Sequence, residues 1–176
     1  QRKGQHNVIQ ALPQLVKKYP RLIYHCVGIP TNKQQLIYLA DALQVRDHIQ
    51  FHGRVSHQEK ERLLQQADIF MMLSERTESG DVEGFGIAIL EANQFGTPAV
   101  GSKNLGIEDA IKDGGSGRLV DSHDSKAIVQ AIDQILDDYE HYSRQATLWV
   151  QKFEWKTIIK DYHYLINNVS DKKRII

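Results

Sequence analysis

Glu83 and Glu91 stand eight positions apart in DVEGFGIAILEANQFGTPAVGS, the stretch from Asp81 to Ser102. Between them lie Gly84 and Gly86, flanking Phe85, and a short apolar run that begins at Ile87. An ionised carboxylate only accepts hydrogen bonds, so a pair of neighbouring hydroxyls is its natural neutral partner. Eight residues at helical rise span roughly 12 Å. That is too far for two carboxylates to share one proton or one metal ion, and it suits a grip on the two ends of an extended ligand. Each charge-assisted bond would contribute about 1.5–3 kcal/mol where water is excluded. A plainer reading fits the same residues. A carboxylate just before a helix favours the helix dipole, and one inside the helix can simply face solvent.

The spacing predicts a helix starting near Phe85 or Gly86. Its first N–H groups lack intrahelical partners and carry a partial charge of roughly +0.5. Glycines at 84 and 86 would let hydroxyls or phosphate oxygens approach that backbone closely. The helix is entered from SERTESGDVEG, the longest connection in the chain. Long connections in compact domains are usually functional or disordered.

The elements that must position these groups alternate. QHNVIQALPQLVKKY is helical by the spacing of Val8, Ile9, Leu12, Leu15 and Val16, with Pro13 arguing against a straight rod. RLIYHCVG reads as a buried strand and NKQQLIYLADAL as a helix. HIQFHG is a strand closed by Gly53. SHQEKERLLQQA opens a helix with Ser56 and Glu59 in capping-box spacing. DIFMMLS is a strand. The helix of FGIAILEANQFG ends at Gly96 before Pro98. PAVGS is a strand, IEDAIK a short helix and SGRLV a strand. SHDSKAIVQAIDQILDDYEHYSRQATLWVQKF is a long helix broken near Asp137–Glu140, and a last helix covers about 154–168. This order predicts one α/β domain over residues 1–176, a Rossmann-like parallel sheet with helices on both faces. Right-handed crossovers then gather Gly28–Pro30, Gly53–Val55, Ser74–Gly86 and Ser102–Gly106 at one sheet edge, where open α/β sheets bind ligands. RKGQHNVIQAL reads as a strand-to-helix loop, so a first strand is expected ahead of Gln1.

Formal net charge is zero, which argues against a surface built for nucleic acid. The single cysteine, Cys26, cannot form an internal disulfide and reads as a small buried hydrophobe, in keeping with a reducing, cytoplasmic setting. No apolar run approaches the 18 or so residues of a membrane span, and no His/Cys/carboxylate group has metal-ligand spacing. The histidines read mainly as structural: His25 within a strand, His141 and His163 on late helices. His52, at a strand end, is the one placed to line a pocket. A dinucleotide fold is disfavoured because Ile89 stands where G-x-G-x-x-G needs its third glycine.

The run from Glu83 to Glu91 resembles the E-x7-E signature of the family 4, group 1 retaining glycosyltransferases of GT-B fold. RKGQHNVIQAL, YHCVG, IQFHGRVSHQEKERLLQQADIFMMLS, EANQFGTPAVGS and GSGRLV are similar to further blocks of that family, in its order. The likeness covers essentially the whole chain as the C-terminal, donor-binding lobe. It implies that Glu83 contacts the donor sugar where chemistry occurs and that Glu91 holds the ribose hydroxyls. It implies that Lys3 binds the diphosphate and offsets charge developing on it. Backbone groups at Gly84, Phe85, Gly86 and Ile87 would hold sugar or phosphate oxygens, and Gly53, Arg54 and Val55 would border the nucleobase. Arg2 does not match the family's companion arginine. Leu73-Ser74 replaces a Pro-Ser pair, and KNLGIED keeps only part of a Gly-Gly-x-x-Glu block, so Glu108 is a weaker contact. The resemblance implies a UDP- or GDP-sugar donor with no cofactor or metal, and an acceptor bound by an N-terminal domain outside this chain. The last helix would reach toward that domain, leaving part of the face of Trp155, Ile158 and Tyr162 exposed. The tail DKKRII suits peripheral contact with an anionic membrane or simple solvation.

Overall fold

The computed structural model describes residues 3–29 and 31–172, with side chains to residue 168. Arg2 and most of the basic tail, with the membrane contact expected of it, lie outside the described residues. Five strands alternate with seven helices among them: α1 (Gln5–Lys18), β1 (Tyr24–Val27), α2 (Lys33–Ala42), β2 (Ile49–Gly53), α3 (His57–Gln66), β3 (Phe70–Met72), α4 (Ile87–Asn93), β4 (Ala99–Ser102), β5 (Gly117–Val120), α5 (Ser125–Asp137), α6 (Tyr139–Val150) and α7 (Trp155–Lys172). The IEDAIK segment is a 3-10 turn, Gly106–Ala110.

All strand pairing is parallel, but the strands form two sheets, β1-β2 and β3-β4-β5. The single continuous sheet expected from the alternation is therefore split between β1 and β3. Among the described residues, β1 and β3 each keep an edge with no strand against it. β1 is correspondingly half-exposed, alternating with His25 and Val27 outward, and is not the fully buried strand its apolar run suggests.

Helices cover both faces. On one, Ile9, Leu12 and Leu15 of α1 meet Ile128, Ile132 and Ile135 of α5 around Leu73 and Val100. On the other, Ile89 and Leu90 of α4 pack with Ile107, Ile111, Val150 and Met72. α1 runs through Pro13 without interruption. The cap at α3 is made only in part. Ser56 Oγ accepts the Glu59 N–H at 3.1 Å, but the Glu59 carboxylate turns to Arg62, at 2.8 and 2.6 Å, and makes no reciprocal bond. Asp124 caps α5 through Lys126 N and Ala127 N. The break in the long helix falls at Asp138, between α5 and α6. In α7, Trp155 is 80% and Tyr162 58% exposed, with Ile158 half-buried, so the expected exposed face is present. No helix among the described residues is long and apolar enough to cross a membrane.

Two smaller expectations resolve on the β1-β2 sheet. Cys26 lies partly buried beside Tyr24, and burial pushes its thiol up to about 11, far from thiolate reactivity at neutral pH. His25 Nδ1 lies 2.9 Å from His52 Nε2 with the rings stacked, so His52 is engaged with its neighbour strand. Partial desolvation, then repulsion from His52 and Arg62, holds the His25 pKa below its ordinary 6.5. The native state thus takes up this proton less readily than the unfolded chain. Stability is expected to fall as pH drops from above 6.5 through the lower folded-state value. His25→Gln should flatten that part of a melting-temperature profile taken between about pH 5 and 8; an unchanged slope would assign it elsewhere.

Candidate active site

β3 runs out through Leu73 and Ser74, both fully buried, and the site is built on their backbone. Gly4 holds a left-handed conformation, φ 68°, and packs so tightly on the Leu73 carbonyl that any side chain would collide with it. Asn7, 1% exposed, donates from Nδ2 to the Leu73 carbonyl at 3.1 Å. Ser102 Oγ bonds the Ser74 carbonyl at 2.5 Å, tying the end of β4 to the same point. These contacts bring the residues ahead of α1 against the start of the long connection. Lys3 and Glu83, eighty positions apart in sequence, consequently meet: Nζ to Oε2 is 2.7 Å, with Glu83 only 14% exposed.

The loop that carries Glu83 is held on three sides. Its outer part closes on itself, with Thr77 N donating to the Asp81 carbonyl at 2.9 Å and Asp81 N to Thr77 Oγ1 at 3.0 Å. Its root is fixed by Glu75, which faces His6 at 3.1 Å and His123 at 3.7 Å. Its inner part, Glu83-Gly84, rests directly on Gly106, whose hydrogen faces the Gly84 carbonyl with no room for a methyl group. Phe85 turns inward onto Phe153, 5.5 Å between ring centres, and Phe153 packs edge-on against Trp149. Gly84 and Ile87 are exposed, with Phe85 half-buried and Gly86 buried between them.

Gly86 ends the loop and starts α4 in a left-handed conformation, φ 83°. A Cβ there would press on Ile107 and Ile89 at 3.0 Å, so the position excludes side chains by both backbone and space. Gly84 differs, since a Cβ would meet nothing within 4 Å. The helix begins at Ile87, one or two residues later than the spacing suggests, and Glu91 lies in its second turn. Lys60 of α3 holds Glu91 there, Nζ to Oε1 2.7 Å, each side chain about one third exposed.

Lys3, Glu91, Lys60 and Gly53 open onto one cavity at the C-terminal ends of β1, β2 and β3. Arg54 is exposed and Val55 half-buried just beyond β2; neither lines the cavity. Gly53, φ 68°, accepts the Gly28 N–H at 2.9 Å. Glu108 is committed locally: its Oε1 accepts the Asn104 N–H at 2.7 Å, across a residue with φ 62°. Among the described residues, no group of three His, Cys, Asp or Glu is placed to hold a metal ion.

The site as built is a cation against a mostly buried carboxylate in the loop, two glycines leading into α4, and a second carboxylate in the second turn of that helix. It can take a polyhydroxylated ligand with an anionic middle. Sequence reasoning missed Lys60, Asn7, Gly106, Phe153 and the Glu75 histidine cluster. Only Gly106 gave a signal, as a glycine in a post-strand segment.

The pattern of the family described as glycosyl transferases group 1 matches residues 1–147. The chain is 32% identical over 161 residues to a GDP-mannose-dependent alpha-(1-6)-phosphatidylinositol monomannoside mannosyltransferase of Mycolicibacterium smegmatis, covering 89% of this chain and 42% of that protein. It is 31% identical over 160 residues to a glycogen synthase of Mycobacterium tuberculosis, covering 89% and 37%. The chain thus spans less than half the length of these relatives. Among solved structures it is similar to Anabaena HepE in complex with UDP and glucose, with TM-score 0.75 and 22% identity over 95% of this chain and 45% of that one. It is likewise similar to sucrose-phosphate synthase of Thermosynechococcus elongatus, with TM-score 0.78 and 22% identity over 98% and 43%. At such identities the structural likeness speaks for the fold alone, one lobe of a GT-B glycosyltransferase. The pattern that runs through Lys3, Glu83 and Glu91 carries the rest, and by it this chain belongs to the group 1 glycosyltransferases.

Proposed function

We propose that this chain is the donor-binding half of a retaining transferase that moves a hexosyl unit from a nucleoside-diphosphate sugar to a glycan or lipid-linked acceptor. The acceptor is bound by a separate N-terminal domain. The observation that carries the reading is the 2.7 Å pair of Lys3 and Glu83 beside exposed Gly84 and the start of α4. A cation there meets the diphosphate, and the adjacent carboxylate meets the sugar. Glu91, farther along α4, takes the ribose hydroxyls. Relatives that use GDP-mannose and a neighbour solved with UDP and glucose support a nucleotide-sugar donor, with both bases open.

In this mechanism the diphosphate departs as Lys3 and the exposed N–H groups at the start of α4 compensate its charge. The acceptor hydroxyl attacks the same face of the sugar. Glu83 orients the sugar and supports its developing positive charge, with no covalent intermediate. Isothermal calorimetry separates the roles. Glu91→Ala should weaken a donor and its free nucleoside diphosphate alike, by about tenfold or more. Glu83→Ala should weaken the donor and spare the free diphosphate. Equal losses for both ligands in both variants would overturn the assignment. A complete protein that binds donors yet releases no nucleoside diphosphate would instead be a sugar-nucleotide-binding module.

A further inference from the structure

Glu91 is not left to find its own position, because α3 and α4 are clasped together. Thr97, 1% exposed, donates from Oγ1 to the Leu64 carbonyl of α3 at 2.8 Å. Asn93 of α4, fully buried, donates from Nδ2 to the Thr97 carbonyl at 2.9 Å. Leu64 lies four residues after Lys60 and Asn93 two residues after Glu91. The clasp therefore fixes how α3 and α4 meet one turn away from the ion pair. Within α3, the Glu59 carboxylate is committed to Arg62 and does not compete for Lys60. The 2.7 Å contact of Lys60 Nζ with Glu91 Oε1 follows from this scaffold.

Such a pair does little for the fold. Each side chain is about one third exposed, and ion pairs in that setting contribute little to stability. Its place gives it weight, since both groups line the cavity together with Lys3 and Gly53. An unaccompanied carboxylate there would repel an anionic ligand, and a loose glutamate would have to surrender rotamer freedom on binding. Lys60 removes both obstacles before the ligand arrives. It also leaves the carboxylate able to accept. Each carboxylate oxygen has two lone-pair sites. Lys60 takes one on Oε1, and Oε2 has no hydrogen-bond partner among the described residues. A vicinal diol can therefore dock on Glu91 while Lys60 stays in place. A single hydroxyl supplies only one of the two donors that this arrangement can accept.

We propose that Lys60 is a positioning residue for ribose recognition. It holds the Glu91 carboxylate in an orientation that accepts both ribose hydroxyls, and so sets the preference for a ribonucleotide donor over its 2′-deoxy counterpart. The inference rests on the assignment of Glu91 to the ribose made above. Lys60 acts through Glu91 and needs no contact of its own with the diphosphate or the transferred sugar.

Calorimetry on the complete transferase compares UDP with 2′-deoxy-UDP, and GDP with 2′-deoxy-GDP. The wild-type protein should prefer the ribonucleotide of the base it binds by about 10- to 100-fold, the difference made by one hydroxyl bonded to a carboxylate. Lys60→Met keeps the aliphatic stem and a good helix former while removing the cation. It should cut that preference by about tenfold, chiefly by weakening the ribonucleotide. Lys60→Arg should restore most of the preference. On a Glu91→Gln background, Lys60→Met should change the affinity for neither ligand, because the group it positions is gone. A preference that survives Lys60→Met overturns the proposal and leaves the pair an ordinary surface contact. So does an equal loss for the ribo and deoxy forms, which would put Lys60 on the ligand itself. Failure of the underlying reading looks different. The wild-type protein then binds neither nucleoside diphosphate, or binds the ribo and deoxy forms equally, and the proposal falls with it.

Discussion

Lys3→Ala in the complete transferase is expected to lower kcat by about 10²–10³-fold, the usual cost of removing one preorganised group from developing charge, with a far smaller change in KM. Lys3→Arg should recover part of the loss, since charge persists while the geometry changes. The resting ion pair adds a second expectation. Glu83 is 14% exposed and lies 2.7 Å from Lys3, so removing the cation takes one compensating charge away from a largely buried carboxylate. Stability should fall by about 1 kcal/mol in Lys3→Ala. The double variant Lys3→Ala, Glu83→Gln should regain that stability, because a neutral amide needs no compensating charge. It should regain no transfer. Urea melts and initial-rate kinetics on the same four proteins measure both. If the double variant recovers activity along with stability, Lys3 serves only to neutralise Glu83 in the resting site and does not act on the diphosphate.

Gly106→Ala is expected to cost about 10²-fold in kcat/KM without touching any ligand. The added methyl would collide with the Gly84 carbonyl, and main chain cannot rotate aside as a side chain can. The segment Glu83-Gly84 must move by a sizeable fraction of an ångström or more, and Glu83 with it. Gly84→Ala supplies the contrast. Its methyl enters open space, so the fold and melting temperature should be unchanged. Any loss of donor affinity in Gly84→Ala then reports a ligand that comes close to this backbone. Loss in Gly106→Ala with none in Gly84→Ala would mean that the loop's position matters while close approach at Gly84 does not. Wild-type kinetics in Gly106→Ala would refute the buttress.

Much of the fold is legible in the sequence because its determinants are local. Ser56 marks a helix start, Gly96 and Pro98 a helix end, and apolar runs such as DIFMMLS a strand. Periodicity also places Glu91 on the helix and Glu83 before it. What escapes is the set of contacts between distant segments. Lys3 with Glu83, Lys60 with Glu91, Gly106 under Gly84 and Phe153 behind Phe85 are each decided by how loops cross in space. No spacing within one element encodes them. Lys60 looks like one of several charges on α3, and only the path of α4 makes it a partner of Glu91. The division of the sheet escapes as well: the pattern announces how strands alternate, while which edges pair is decided in space.

The Thr77–Asp81 closure has a practical consequence. Hydrogen bonds at the base of this turn hold Ser79 and Gly80 at its tip, with Ser79 Oγ 2.9 Å from Thr77 Oγ1. Ser79 is exposed, and the chain's one cysteine, Cys26, has a thiol raised to about 11. A thiol introduced by Ser79→Cys would therefore outcompete the native one for a maleimide dye near neutral pH, with no need to remove Cys26 first. The tip of the loop is a ready attachment point for a fluorophore a few residues from Glu83, able to report binding at the proposed donor site in real time without occupying it.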